Sequence, residues 1–393
     1  MLSILAMLVT AGVGVAQESR EAEIVATQAE KAKDLKPYDP NKAEEVIDRL
    51  EGYFSGFGSG WHPYFENAYS GGGFTLGAGY SQYVSPTTLL DVRGSWTFKN
   101  YKLLEAEYRA PRLFDRRGVF TALGGWREAT EVGFYGFGTG NTSTDDRANY
   151  SFRQPYASAA LDVRPFRRYL EIGGGVEVMQ WDQGEGDGSA PSVDEVYTPD
   201  TLPGLGSSPT YLHTSGTVGF DWRPAVGYTR TGGYYGATFH DYKDQDDAFG
   251  FQQVDYHVVQ HIPLFRDAWV LSLRGRVQTT YTKDDQVIPF YMLPALGGGS
   301  SLRGFSSWRF RDRHGLLLQA EWRVLANRFL DMALFYDAGK VTDRRSDLDL
   351  EGLKSDFGIG FRFHGPATTP LRIEFARSNE QAFKIIFSAK HAF

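Results

Sequence analysis

One segment of the sequence concentrates residues that could do chemistry: LPALGGGSSLRGFSSWRF, residues 293–310. Its glycines would let the backbone pass close to a ligand or a wall, and its arginine at position 303 would suit an anion. A Walker-type phosphate loop needs Gly-Lys-Ser/Thr at the start of a helix, and this segment offers neither the lysine nor the helix. The alternatives that remain are an arginine with a carboxylate partner elsewhere and an ordinary solvated loop.

Enzymatic chemistry has little support in the sequence. Cysteine is absent, which excludes thiol catalysis, disulfides and cysteine metal sites. The sequence has no G-x-S-x-G elbow and no defensible arrangement of serine, histidine and carboxylate. We therefore expect no catalytic residues, no metal site and no cofactor. The net charge of −7 argues against a nucleic-acid partner.

The segments around this loop alternate polar and apolar residues with a period of two. Residues 269–281 place apolar side chains on one face and Arg274 and Arg276 on the other, and residues 316–324 place Glu321 on a similar polar face. A soluble β-sandwich also alternates. Here, however, the polar face is charged in mid-strand and the strands are longer than the usual five or six residues or so. An apolar face towards lipid and a charged face towards a wet lumen explain both features.

The alternation predicts an all-β fold, a 16-stranded antiparallel transmembrane β-barrel over residues 59–393. Strands follow one another from residue 70 to 392, and an even strand number requires one more around 60–67. Short connections such as 164–167 would lie on the periplasmic side, and long ones such as 282–313 outside. Five tryptophans near strand ends are expected in interfacial girdles: Trp61, Trp126, Trp181, Trp222 and Trp269.

The N-terminal part of the chain differs from the rest. Residues 1–16 are apolar and end in small residues, which predicts a signal peptide, with a membrane-anchored or buried helix as the alternative. Residues 17–58 are charged, and Val46, Ile47 and Leu50 recur at helical spacing. We expect a short periplasmic helical segment there, too small for a folded domain with its own core.

The glycine-rich loop resembles the signature of the BamA/TamA outer-membrane assembly superfamily, which includes two-partner-secretion transporters and bacterial surface antigen barrels. That signature is an Arg-Gly-Phe or Arg-Gly-Tyr tripeptide in the sixth extracellular loop. It stands here as Arg303, Gly304 and Phe305, preceded by Leu302 where valine is usual. The resemblance covers residues 60–393 and is strongest towards the C-terminus.

Two further motifs of the superfamily follow in order. They are the Glu-aromatic pair Glu321-Trp322 and the Phe-x-Asp-x-Gly run from Phe335 through Asp337 to Gly339. The resemblance implies a sixth loop folded into the lumen, with its arginine against the two carboxylates. Alternation also places both carboxylates on the lumen face, where they would repel without a cation. The alternative is a surface loop, which would leave the carboxylates to other arginines.

The resemblance implies a protein of the bacterial outer membrane that is not an enzyme. The first hypothesis is that it assists insertion or translocation of protein or lipid through a lateral seam between the first and last strands. The second is a passive pore or a structural surface antigen without a client, and an enzymatic barrel such as a phospholipase is the third. Members of the superfamily carry POTRA domains that receive clients, and the segment before residue 59 is too short for one. A direct role in client recruitment is therefore not carried over.

The expected partners follow from this location. They are outer-membrane lipids and lipopolysaccharide, the barrel assembly machinery for the protein's own insertion, and a polypeptide client. Phe393 is the last residue, and with Ile385 and Phe387 it resembles the C-terminal signal that directs barrels to insertion. Residues 182–200 hold six acidic residues and no basic one. This loop either binds divalent cations or is simply solvated.

Overall fold

The computed structural model describes residues 59–140, 146–166, 169–265, 268–283, 285–365, 369 and 371–388. Three predicted features lie outside the described residues: the signal peptide over 1–16, the helical segment over 17–58 and the insertion signal at Phe393. In the part of the chain that is described, no helix has the length and apolar character needed to cross a membrane.

Among the described residues, the wall is an antiparallel sheet of 17 strands. Two of these strands, Tyr169–Gln180 and Asp182–Glu185, pair one after the other with the same strand, Ala148–Val163, and are counted here as one. The wall therefore has sixteen strands, which confirms the predicted barrel. In chain order they are β1 (Gly60–Pro63), β2 (Thr75–Tyr83), β3 (Leu89–Thr97), β4 (Lys102–Arg112), β5 (Gly118–Phe134), β6 (Ala148–Val163), β7 (Tyr169–Gln180, continued by Asp182–Glu185), β8 (Thr210–Asp221), β9 (Gly232–Asp244), β10 (Phe251–Leu264), β11 (Trp269–Thr282), β12 (His314–Asn327), β13 (Leu330–Thr342), β14 (Lys354–Phe363), β15 (Leu371–Ser378) and β16 (Lys384–Ser388). Each strand pairs with the next from β1 to β16, and within the described residues β16 has no pairing with β1.

The barrel is polar inside and apolar outside, the reverse of a soluble protein. Leu104 on β4 is 58 % exposed and Leu334 on β13 is 52 % exposed, although both are large and apolar. Charged side chains such as Arg303, Glu321 and Asp337 are instead buried in the lumen. This inversion is what a lipid solvent outside the wall requires.

The remaining elements are short. In the described part of the chain they are an irregular turn with positive φ at Phe114 and Asp115, α1 (Leu113–Arg116), one helical turn, α2 (Val193–Val196), and 3₁₀ turns at Phe290–Met292 and Arg345–Asp347. The connections are short at one end of the barrel and long at the other, and we take the long-loop end as extracellular. The acidic segment 182–200 lies at that end, and the described residues contain no group of His, Cys, Asp or Glu arranged for a metal ion.

Two sequence-based expectations need correction. Trp181 is not in an interfacial girdle, because its side chain is only 4 % exposed and packs on Phe152 and Tyr291 inside the barrel. Strict alternation along β7 puts Trp181 on the same inward face as Met179. The first strand is also shorter than predicted, because the ladder of β1 with β2 ends at Pro63.

A buried aromatic cluster fills the lumen near the extracellular end and positions the sixth loop. Phe290, from that loop, lies with its ring centroid 4.9 Å from that of Tyr150 on β6 and 5.2 Å from that of Phe134 on β5. All three rings are fully buried. Edge-to-face pairs of this kind add to the stabilisation from burial, so the start of the loop is fixed inside the barrel.

Candidate functional site

The sixth extracellular loop, L6 (residues 283–313), forms a hairpin inside the barrel. Its two sides pair at Ala295 with Arg311 and at Leu296 with Phe310. The backbone N–H of Gly298 donates to the carbonyl of Leu302, at 3.2 Å, and to that of Phe305, at 3.1 Å. Gly298 has a φ of 98°, in the region that favours glycine. The glycine run therefore makes the tight turn that presents the Arg-Gly-Phe motif.

Phe305 anchors this hairpin through apolar packing. Its side chain has no exposed surface, and its ring centroid lies 5.2 Å from that of Phe310. The surrounding cluster joins residues of L6 to residues of β12 and β13: Leu296, Leu302, Phe305, Phe310, Leu317 and Val341. The phenyl ring thus attaches the motif to the barrel wall.

Arg303 uses its guanidinium to join three strands. Its Nε and Nη2 donate to the two carboxylate oxygens of Asp337 on β13, each at 2.7 Å. Its Nη1 donates to Glu374 on β15 at 2.7 Å and to Glu321 on β12 at 3.2 Å. Arg303 is 1 % exposed, so these are charge-assisted bonds shielded from bulk water.

The aromatic residue of the third motif lies under this guanidinium. The Cζ atom of Arg303 is 3.6 Å from the ring centroid of Phe335, which is a close cation–π contact. Burial alone would disfavour the charge, but the surrounding carboxylates, first Asp337, hold the pKa of Arg303 well above its usual value. The loop arginine is therefore held as a cation between the ring and the carboxylates.

Gly304 is required by a close approach to the wall. A Cβ atom at this position would lie 2.6 Å from the Cβ of Asp356 on β14 and 3.0 Å from the carbonyl carbon of Arg377 on β15. The carbonyl of Gly304 also accepts a hydrogen bond of 2.9 Å from Ser378 Oγ. Any side chain here would push the loop, and Arg303 with it, away from the carboxylates.

The wall strands set like charges opposite each other around the loop arginine. Arg362 on β14 is the direct partner of Arg372 on β15, and Asp337 on β13 is the direct partner of Asp356 on β14. Such cross-strand pairs are unfavourable alone. Glu374 offsets the first pair, since Arg362 Nη2 donates to it at 2.7 Å. The cluster is therefore stabilised by contacts between its arginines and its carboxylates, and Arg303 supplies one of the cations.

The cluster continues towards the periplasmic end through the β8–β9 turn (residues 222–231). Arg323 on β12 donates from Nη2 to the carbonyl of Thr229 in this turn. The ring of Tyr228 stacks on that of His364 with centroids 3.9 Å apart, and its hydroxyl donates to Asp331 at 3.0 Å. The cavity between the turn and the cluster measures about 20 Å³, room for about one water molecule. The turn thus packs directly beneath the cluster.

At the extracellular end L6 connects the loops that follow the first strand and precede the last strand. Trp308 Nε1 donates to the carbonyl of Ser70 at 2.8 Å, and its ring stacks on Tyr69 with centroids 4.4 Å apart. Arg309 donates to Glu380 through Nε at 2.6 Å and through Nη2 at 3.0 Å. Ser70 lies between β1 and β2, whereas Glu380 lies between β15 and β16. L6 therefore bridges the two ends of the sheet.

The structure brings five of the six residues singled out in the sequence into one place: Arg303, Gly304, Phe305, Glu321 and Asp337. The sixth, Phe393, lies outside the described residues. Sequence reasoning missed Glu374 as a ligand of the arginine. The signal was available, because the alternation in LRIEFAR places Glu374 on the same face as Arg372, but nothing local indicates how far across the lumen L6 reaches.

Comparison with known proteins finds a family domain over part of the chain and a similar fold. The Omp85 superfamily domain matches residues 227–388, a range that contains all three motifs. The structure is similar to BamA from Haemophilus ducreyi lacking POTRA domains 1–3, with a TM-score of 0.61, 14 % identity, and coverage of 88 % of this chain and 76 % of that one. It is also similar to CdiB from Escherichia coli, with a TM-score of 0.53, 13 % identity, and coverage of 81 % of this chain and 59 % of that one. A search of curated proteins finds no match. The superfamily resemblance inferred from the motifs is thereby confirmed.

Proposed function

We propose that this Omp85-type barrel of the bacterial outer membrane assists the insertion or translocation of polypeptides through a lateral seam between β1 and β16. The observation that carries the proposal is the unpaired junction of these strands within the described residues. Elsewhere each wall strand shares a ladder with both of its neighbours. A junction without a ladder is where a barrel can open with the least loss of hydrogen bonds.

β1, on one side of the junction, is the shortest wall strand in the described part of the chain. β1 has 4 residues, whereas β11 and β12 have 14 each. Pro63 ends β1 and has no N–H to donate to a partner. Few bonds would therefore be exchanged when a client strand enters the junction.

The outer face at the junction is apolar and fits a lipid-exposed exit. Trp61 on β1 is 79 % exposed and Phe387 on β16 is 69 % exposed, and both belong to the outward alternation. A client strand leaving the lumen here would meet hydrocarbon on its outer face. Outer-membrane lipids are accordingly the second class of partner in this proposal.

The packed lumen favours this role over that of a passive pore. L6, the charged cluster and the β8–β9 turn form one connected series of contacts from Asp337 through Glu321 and Arg323 to Thr229. An open channel would leave such arginines lining water. A surface antigen without a client would not need a seam that opens.

In this proposal the Arg303 cluster is structural and not catalytic. Arg303 fixes L6 against β12, β13 and β15, and Phe305 attaches it to apolar side chains of β12 and β13 that face the lumen. With its base fixed, the loop can hold Trp308 and Arg309 at the two ends of the sheet. The cluster thus determines how firmly the seam is held at its extracellular end.

A disulfide across the seam tests the function. Because the sequence contains no cysteine, pairs can be introduced between positions 60–63 and 384–388 without background. In cells depleted of the wild-type protein, a cross-linked pair should change the outer-membrane proteome or lipid composition, and reductant should restore it. The matched control is a disulfide between Leu273 and Ala320, which face each other in the β11–β12 ladder. A locked seam that supports normal growth and membrane composition would rule the proposal out.

A further inference from the structure

A second feature of the lumen lies beside the Arg303 cluster: a cavity of about 270 Å³ against β9, β10 and β11. Its lining is mostly polar or charged: Tyr234, Gly236, Thr238, Asp255, His257, Arg274 and Arg276. At about 30 Å³ per water molecule, the space would hold roughly nine waters or a small ligand. What it could bind follows from the hydrogen-bonding groups that remain available.

The carboxylate in the lining is already satisfied. Arg276 Nε lies 3.0 Å and 2.9 Å from the two oxygens of Asp255, and Arg276 Nη2 also donates to this carboxylate. The remaining Arg276 nitrogen, Nη1, has no protein acceptor among the described residues. The charge of Asp255 is therefore balanced by Arg276, and Arg276 Nη1 remains as a donor in the cavity.

Arg274 has no carboxylate partner within ion-pair distance among the described residues. Its Nε donates to His257 Nε2 at 3.1 Å, and its Nη1 donates to Gln319 Oε1 at 3.0 Å and to the carbonyl of Ser300 at 3.1 Å. Arg274 Nη2 has no hydrogen-bond acceptor among the described residues. A second guanidinium thus borders the cavity with its charge uncompensated locally.

The contact with Arg274 also fixes the proton on His257. Arginine only donates, so His257 Nε2 must accept and the ring hydrogen must be on Nδ1. Within the described residues Nδ1 has no partner. Tyr234 adds a hydroxyl group to the lining, whereas that of Thr238 is already shared with the Thr217 hydroxyl at 3.0 Å. The groups left over are therefore mainly donors, and a complementary ligand must be an acceptor.

We propose that this cavity is a binding site for a phosphate-class oxyanion. Arg274 and Arg276 lie two residues apart on one face of β11, about 7 Å along the strand. That separation lets two guanidinium groups bind different oxygens of one phosphate or pyrophosphate, for which arginine's planar fork is suited. The ligand would lie close to L6, because Arg274 also donates a hydrogen bond to the carbonyl of Ser300 in this loop.

Titration calorimetry with inorganic pyrophosphate on the full-length protein, in a phosphate-free non-ionic detergent, tests the site. Wild type should bind with a stoichiometry near one. Arg274→Gln and Arg276→Gln should each weaken binding by about tenfold or more, the equivalent of a lost charge-assisted hydrogen bond. Arg153→Gln is the control, since it removes the same charge from a pair with Glu128 outside the cavity.

Asp255→Asn makes the test independent of stability. It removes the negative charge from the lining and frees the Arg276 fork, so binding should tighten, which a damaged barrel would not do. Pyrophosphate binding that is absent, that survives both arginine variants, or that weakens in Asp255→Asn would overturn the proposal.

Two further titrations assign the source of the ligand. Tight binding of inorganic phosphate but not of glycerol 1-phosphate would identify a free ion. Comparable binding of glycerol 1-phosphate would identify a lipid headgroup, and either result supports the site.

Discussion

Arg303 in L6 and Asp337 on β13 form a bidentate pair across the lumen, with Nε and Nη2 each 2.7 Å from one carboxylate oxygen. The two residues are 34 positions apart in sequence, and both are buried. The Asp337 carboxylate also accepts the backbone N–H of Arg303 at 3.3 Å, so the pair joins the loop to the wall through this carboxylate and not through a backbone ladder. It follows that the loop can be loosened without dismantling the barrel.

Arg303→Ala should loosen L6 while leaving the barrel able to insert. Breaking a buried ion pair by removing one partner typically costs about 3–5 kcal/mol, whereas the ladder bonds of the wall are untouched. The variant should lose its heat-modifiable mobility on gels at a lower temperature, and external protease should cleave L6. Arg303→Lys should restore only part of the loss, because a point charge cannot fork across Asp337. Unchanged protease resistance in Arg303→Ala would contradict the proposed role.

A double-mutant cycle should rank two of the three carboxylates, Asp337 and Glu321. Asp337 takes two bonds of 2.7 Å from Arg303, whereas Glu321 takes one of 3.2 Å. The coupling of Arg303→Met with Asp337→Asn should therefore exceed its coupling with Glu321→Gln, within the roughly 0.5–3 kcal/mol seen for contacting residues. Urea midpoints of the refolded barrel in detergent give both values. Equal couplings would mean that the charge of the cluster matters and its geometry does not.

Gly304→Ala should reproduce the loosened loop without removing any charge. The added Cβ would meet Asp356 Cβ at 2.6 Å and the backbone of Arg377 at 3.0 Å, so the tripeptide must move away from β14 and β15. Protease cleavage of L6 should rise towards the level of Arg303→Ala. Gly352→Ala is the control for a loop glycine with open space around it, although its positive φ adds some local strain. If Gly304→Ala is as resistant as wild type, the close approach is absent in the membrane.

Glu380→Gln should weaken the bridge that L6 makes to the last hairpin. The substitution keeps the shape but removes the charge that Arg309 contacts through Nε and Nη2. Amides of β1 and β16 should then exchange with deuterium faster, because the two ends of the sheet are less firmly held. Asp349→Asn is the matched control. Asp349 lies in the loop between β13 and β14, and the substitution breaks its ion pair with Lys340 on β13. Equal exchange in both variants would show that the bridge does not hold the junction.

Tyr228→Ala should open the periplasmic end of the lumen. The tyrosine stacks on His364 and donates to Asp331, and together these contacts hold the β8–β9 turn under the cluster. Single-channel recordings in planar bilayers should show larger or more frequent conductance steps than wild type. Tyr228→Phe keeps the stacking and should stay close to wild type. A conductance unaffected by Tyr228→Ala would place the seal elsewhere.

The strand alternation and the three motifs were sufficient to predict the barrel, its sixteen strands and the similarity to the Omp85 superfamily domain that matches residues 227–388. Period two is a local property, because successive side chains point to opposite faces of any strand. The same rule would have placed Trp181 inside, and the general tendency of tryptophan to lie at interfaces led to the wrong prediction. Local patterning outweighs residue preference when the two conflict in a wall of fixed register.

What only the tertiary structure decided is which side chains meet inside the barrel. Glu374 joins Arg303, Phe335 lies beneath the guanidinium, and the β8–β9 turn reaches Asp331. These contacts link residues on strands and loops far apart in sequence, and their distances depend on how the sheet curves and on how far L6 descends. Alternation fixes the face that each residue occupies, but a face of the wall does not determine the partner across the lumen. The sequence by itself therefore determined the wall and the candidate ion-pair residues, and the path of L6 through the lumen determined their contacts.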